Sequence, residues 1–545
     1  MQLLMLLIRH AGGMLKWTVL CLAVSALAAV AILVIVNAGI DPALESEERH
    51  HLLVLGAGAT LVYALVHRQA MRRVSRQFEA IIIDLRERLL TRLRHAEFLQ
   101  ADKIDRAAFY SGISAEMRTI SYCSPIIAEM LHSVFVIAAI TLYIFVHSPL
   151  AALCCLAFVA ASIAIVAARR VQAEEIFTEA SELENVLLGH VGDMMDGAKE
   201  LRMDDRRASE LSRKVMEVAH DIGRRKHVAI DAYVRSVVES QAAFNILILF
   251  VIFVLPQIAS YSFELVSIAL ALMFVAGPVL TIVGSLPSYM GANNAAMNVL
   301  ALENRLPVPR IVESHGAESC FDNFKAIHLK DALFGHRSQD GSEYWIGPVN
   351  LTIERGRVIL VTGGNGSGKS TLLRMLLGLY RLYDGRITVD SMVVEPSTLG
   401  QYRKLFAVVF SDNHLFRELY GIQSIDAELA RDMLEFLEIS DKARIEGRSF
   451  STLKLSGGQR KRLALIAAIL EKKPICVLDE WAADQEPYFR AKFYREVLPR
   501  LRDLGMTVIA ITHDREYLSA ADVHWHVERG MVVSVQEVGG LPQPA

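Results

Sequence analysis

A chain of 545 residues is too long for one hydrophobic core, so two or more domains are expected. Hydrophobic side chains make up 53% of it, more than an ordinary soluble protein carries, which directs attention to membrane spans. The formal net charge of −3 makes no case for a nucleic-acid partner, and the six cysteines show neither metal-ligand nor disulfide spacing.

In chain order, residues 17–40 are almost unbroken apolar, longer than the apolar core of a signal peptide, and read as a first span. Further apolar stretches cover about 52–66, 126–146, 150–168, 242–258 and 265–286, six spans in all. The second and fifth reach the roughly 20 residues a span needs only with their flanking turns. The connection 41–51 is acidic, with Arg49 its one Lys or Arg, whereas Arg68, Arg72, Arg73 and Arg76 follow span two and Arg169 and Arg170 follow span four. Under the positive-inside rule both termini are cytoplasmic. The intervening segments, about 67–125 and 169–241, lack Pro apart from Pro125 at the edge and read as amphipathic helices throughout, with Ile81, Leu85, Leu89 and Leu93 at helical spacing. They are either solvated extensions of the spans or a docking surface for a domain on the same side. Glu129 and His132, three apart on one face of span three, and Glu239, Gln241 and Asn245 at the start of span five, are either part of a substrate path or solvated helix ends, and their place toward the cytoplasmic ends favours the second.

Pro307 and Pro309 mark a linker over 303–319, which divides a transmembrane domain, 1–302, from a second domain, 320–545. In the second domain short β-like runs alternate with helices, as in an α/β fold with a mainly parallel sheet. A strand near 358–362 leads into Gly363, Gly364, Asn365, Gly366, Ser367, Gly368, Lys369 and Ser370, which fit the phosphate-binding loop pattern G-x-x-x-x-G-K-[ST], followed by Thr371 at the start of a helix. Such a loop aims successive N–H groups at a polyphosphate at the positive end of that helix. Lys369 reaches the β and γ phosphates, and Ser370 offers a hydroxyl to Mg²⁺.

Three later motifs share this domain. Leu455, Ser456, Gly457, Gly458 and Gln459 open a helix, with Ser456 a good N-cap. An apolar strand over 475–478 ends in Asp479, suited to a metal, and Glu480, suited to activating water. A second strand, 507–512, ends in His513, placed to meet a γ-phosphate.

In that order these motifs resemble the ATP-binding cassette (ABC) transporters, and the resemblance covers the whole chain. Six spans before the cassette resemble a half-transporter with the type IV ABC exporter fold. The resemblance implies ATP and Mg²⁺ as cofactors and a homodimer in which each ATP lies between one phosphate loop and the partner's LSGGQ turn. It implies Lys369, Glu480 and His513 as catalytic residues, Ser370, Asp479 and Ser411 around the metal, and Ser456, Gly457, Gly458 and Gln459 toward the second copy's ATP. Ser411 stands where the family has Gln, and Glu486 where it has Asp. Phe334, His336 and Tyr344 are candidates to stack on adenine, with His336 nearest the family's position.

The stretches 346–351, 363–370, 408–412 and 479–487, with Trp481 the most distinctive residue, resemble the cyclic-peptide exporters of Gram-negative inner membranes, a branch that includes the syringomycin, pyoverdine and microcin exporters. Export of a peptide-like metabolite, such as a siderophore or its precursor, into the periplasm is therefore expected. A lipid flippase and an ATP-dependent sensor subunit are the alternatives.

Overall fold

The computed structural model describes residues 5, 14–40, 44–102, 104–258, 265–306, 321, 323–337, 343–412 and 414–538. It divides into two compact units: Met1–His95 with Ile104–Pro307, and Ala96–Lys103 with Val308–Ala545.

The first unit is helical. Its long helices are Met14–Gly39, Ser46–His95, Met117–His147, Pro149–Asp196, Asp205–Leu249 and Leu265–Arg305. Among the described residues five stretches, Lys16–Gly39, Ser46–His95, Arg106–His147, Asp205–Gln257 and Val266–Arg305, are long and apolar enough to cross a membrane. The fourth sequence span lies in Pro149–Asp196, whose apolar described part is Pro149–Ala161. Local chemistry sets the breaks. Ser148, fully buried and extended, ends one helix, accepts a hydrogen bond from Ala151 N at 3.2 Å and is followed by Pro149 at the first position of the next.

The segments expected to be helical throughout are interrupted. One breaks between His95 and Arg106, around the short helix Phe98–Asp102, and restarts where Asp105 accepts from Ala107 N at 2.9 Å. The other breaks at Gly197 and again at Asp204, whose carboxylate caps Arg206 N at 2.9 Å. In both, a carboxylate at the N-cap satisfies N–H groups that an unbroken helix would have paired internally. Pro125, at the edge of the first of these segments, lies inside Met117–His147. The last long helix runs into the proposed linker as far as Arg305; the linker from 307 onward lies outside the described residues.

Two apolar clusters hold the unit together. One joins Phe78, Ile82, Leu85, Ile127 and Val299; the other joins Leu33, Ile140, Val251 and Leu272. Glu303 is 5% exposed, yet Arg92 compensates it twice, through a 2.8 Å ion pair and a 2.7 Å bond to its carbonyl.

In the second unit the strands are β1 (Ala326–Arg337), β2 (Glu343–Glu354), β3 (Val358–Gly363), β4 (Asp384–Val389), β5 (Met392–Val393), β6 (Phe406–Val409), β7 (Ile445–Glu446), β8 (Ser449–Phe450), β9 (Ile475–Asp479), β10 (Thr507–Ile511), β11 (Val523–Glu528) and β12 (Met531–Glu537). The central sheet has the order β12-β11-β3-β10-β9-β6 and is parallel apart from β12. Every residue of β9 and β10 is buried, as expected of strands covered on both faces. A second, antiparallel sheet runs β2-β1-β4-β5. The short helix Phe98–Asp102 clusters with this unit: the Phe98 ring lies 5.9 Å from Tyr380 and under the Arg374 guanidinium at 5.6 Å, and Leu99 packs on the same core.

Candidate nucleotide-binding site

Sheet register builds the site. Ile511 of β10 pairs with Val361 of β3 on one side and Asp479 of β9 on the other, so three parallel strands end at one edge. Gly363, Asp479 with Glu480, and His513 leave those ends, at the carboxyl edge where α/β sheets hold ligands.

The loop after β3 needs its glycines. Gly363 has φ +156°, and a Cβ there would lie 2.2 Å from the Val527 carbonyl oxygen. Asn365 and Gly366 are exposed, while Ser367 is buried and its Oγ has no hydrogen-bond partner. Lys369, the first residue of the helix Lys369–Leu376, is 5% exposed and donates to the carbonyls of Gly363 at 3.1 Å and Gly364 at 2.9 Å. Burial lowers its pKa, against the opposing pull of Glu480 and Asp479. An ammonium curled onto its own loop, beside an unpaired hydroxyl, fits a polyphosphate that would take both.

Asp479 is 1% exposed. Burial raises its carboxyl above the usual carboxylate range; a hydrogen bond from Ser411 pulls it down, Glu480 pushes it up, and Ser370 pulls it down further. Ser370 Oγ donates to Asp479 Oδ1 at 3.3 Å. A buried carboxylate flanked by two hydroxyls is a donor set of the hard-oxygen kind that suits Mg²⁺. Ser411 therefore meets the same carboxylate as Ser370, although it is shorter than the Gln it replaces. Ser411→Ala removes one bond to a charged group, typically ~1.5–3 kcal/mol, and is expected to lower ATP hydrolysis about tenfold. Phosphate release at saturating Mg²⁺ measures this, and an unchanged rate would leave Ser411 without a role.

Glu480 adopts φ +52°, ψ +39°, a left-handed conformation uncommon outside glycine. That turn brings Glu480 Oε1 to 3.1 Å from His513 Nε2. Both side chains are part exposed and face solvent, from which an attacking water could come.

Several supporting residues had no structural role assigned in the sequence reading. Lys461 is 3% exposed, donates to the Glu480 carbonyl at 2.8 Å and pairs with Asp484 at 2.8 Å. Trp481 is buried, donates to the Lys461 carbonyl at 2.8 Å and stacks on Phe493 at 4.8 Å. On the His513 side, Tyr494 hydrogen-bonds Thr512 and donates to Asp514 at 2.9 Å. The local signals were Trp481 itself and the basic run after Gln459; their partners are set by folding.

The LSGGQ turn is locked on itself. Ser456 N donates to Gln459 Oε1 at 3.1 Å and Gln459 N to Ser456 Oγ at 3.3 Å, a capping box at the head of Gly457–Leu470. Gly458 needs its bareness for space: a Cβ would lie 2.8 Å from the Asp484 carbonyl oxygen, and Gln485 Nε2 donates to the Gly458 carbonyl at 3.1 Å. Among the described residues no hydrogen bond joins this turn to the phosphate loop. Glu486 is exposed at the N-cap of Pro487–Lys492 and makes no capping bond.

Of the adenine-stacking candidates, Phe334 is corrected: it is 3% exposed and stacked on Tyr380 at 4.5 Å inside the core, so its ring is not free. Tyr344 is part exposed and donates to the Gly366 carbonyl at 3.4 Å. His336 lies in β1, but its side chain is outside the described residues.

Residues 346–483 match the family described as ABC transporter. The ATP-binding protein SyrD of Pseudomonas syringae pv. syringae is 33% identical over 352 residues, 62% of each chain, so the match spans about three fifths of that relative. An ATP-dependent lipid A-core flippase of Haemophilus ducreyi is 29% identical over 222 residues, 38% of this chain and 37% of that protein. A solved bacterial Atm1-family ABC exporter with ATP bound superposes with a TM-score of 0.78 at 15% identity, over 97% of this chain and 95% of that one. Residues 346–483 thus form an ATP-binding domain like that of the ABC transporters, in a chain that has the fold of that solved exporter and five described stretches long and apolar enough to cross a membrane.

Proposed function

We propose that this ABC transporter ATPase works as a homodimer that exports a peptide-like secondary metabolite (a siderophore, a siderophore precursor or a cyclic peptide) from cytoplasm to periplasm across a bacterial inner membrane. The observation that carries this reading is the reach of the SyrD likeness. At 352 residues it is longer than the whole second unit, so it extends into the helices where cargo must pass. The flippase likeness, at 222 residues, is short enough to lie within the ATP-binding unit alone, which keeps lipid as the second reading.

In the proposed cycle Lys369 leaves the Gly363 and Gly364 carbonyls for the β and γ phosphates, and the loop's N–H groups hold the remaining phosphate oxygens. Ser370, Asp479 and Ser411 would hold Mg²⁺, which when bound offsets the negative charge of the phosphates. Glu480 takes the proton of a water lying in line with the γ-phosphate, and His513 fixes the carboxylate and meets the phosphate. The Ser456 turn of a second copy closes the other side of the nucleotide. With both termini cytoplasmic, as the Arg-rich segments imply, closure of two ATP-binding units is the step that reorients the helices.

The test is vectorial uptake into inside-out proteoliposomes with ATP. A peptide metabolite that stimulates hydrolysis and accumulates inside supports export. Stimulation by lipid with indifference to peptides favours the flippase, and hydrolysis that moves neither counts against both.

A further inference from the structure

We propose that His67, Glu129 and His132 form a binding site for a divalent transition-metal ion, with zinc(II) the best match. His67 comes from Ser46–His95, and Glu129 and His132 share a face of Met117–His147. One ligand atom from each of the three lies within 4.8 Å of the others, the one such grouping among the described residues. His67 Nε2 and Glu129 Oε2 are 3.3 Å apart. Ligands about 2.1 Å from a tetrahedral zinc are roughly 3.4 Å from one another, so this edge already has the span a metal needs and only His132 must draw in. Two imidazoles with one carboxylate are donors that zinc accepts, leaving a fourth position open to water.

The second observation concerns satisfaction. His132 is 5% exposed, and its Nε2 has no hydrogen-bond partner. Buried polar atoms are nearly always paired, and an unpaired one is costly. A hydrogen-bonded His67–Glu129 pair alone would leave His132 in that state, whereas a shared cation would satisfy it. The rings are also held in place: Tyr63 stacks on His67 at 5.4 Å, and the His67 and His132 rings meet edge-on at 4.5 Å. His67 directly follows one apolar stretch and Glu129 and His132 fall at the start of another, so the ion would clasp two spans at their polar ends. This site is separate from the ATP-binding unit and does not depend on the cargo.

The experiment uses full-length protein purified in detergent through a tag without histidine, stripped with chelator, equilibrated with Zn²⁺ and desalted. Metal per chain is then measured by mass spectrometry, and Co²⁺ is used as a visible-absorbing probe. The wild type is expected to retain one equivalent more than His132→Ala, His67→Gln or Glu129→Gln, and to show Co²⁺ ligand-field bands that all three lack. Zn²⁺ should raise the Tm of the wild type but not of the variants. Equal metal content and equal spectra in wild type and variants overturn the proposal. So does a wild type that retains no metal, which decides the matter even if a variant fails to fold.

Discussion

Glu480→Gln is expected to bind ATP as the wild type does and to lose hydrolysis by about 10²–10⁴-fold, the usual worth of a positioned general base. The amide keeps the size of the carboxylate and can still hydrogen-bond His513 Nε2, 3.1 Å away in the wild type. It cannot take a proton from water. The left-handed turn at Glu480 is anchored through its carbonyl by the buried Lys461 ammonium, so the substitution leaves the backbone in place. Phosphate release gives the rate, and a fluorescent ATP analogue gives the affinity. Hydrolysis within tenfold of the wild type would assign the base to another residue.

Lys369→Ala is expected to weaken ATP binding by upwards of about 100-fold and to abolish measurable turnover. Hydrogen bonds to charged groups are worth ~1.5–3 kcal/mol each, and this ammonium is placed to make two. Its present bonds to Gly363 and Gly364 are the loop's own carbonyls, which water can satisfy once the side chain is gone, so the fold should survive. The negative groups Asp479 and Glu480 would then face an anionic ligand with one cation fewer beside them, which adds to the loss. Nucleotide titration at matched Mg²⁺ measures it, and an unchanged affinity would place the phosphates elsewhere.

What could be read in the sequence was what is local. The phosphate loop, the strand ending in Asp479 and Glu480, and the capped LSGGQ turn each lie within about ten consecutive residues, so spacing alone displays them. The helix breaks also had local signals in Asp105, Gly197 and Asp204, but long runs of helical periodicity outweighed them. What escaped depends on distant pairings. Lys461 meets Glu480 and Asp484 only once a helix packs beside β9, and Gln485 reaches Gly458 across the same turn. Phe334 looked free because an aromatic in a strand gives no sign of which face is covered; stacking on Tyr380 covers it. His132 read as a solvated helix end because its partner, His67, lies on another helix far back in the chain.

The piece Ala96–Lys103 has a practical consequence for anyone dissecting the molecule. The chain visits its C-terminal unit early, before the third long helix, and leaves Phe98 there against Tyr380 and Arg374 and Leu99 against the same core. A fragment beginning at Val308 would therefore carry a bare oily notch where those side chains belong, and would be prone to stick to itself. Supplying the missing octapeptide as a separate synthetic strand should cure that stickiness, much as a cork restores a bottle.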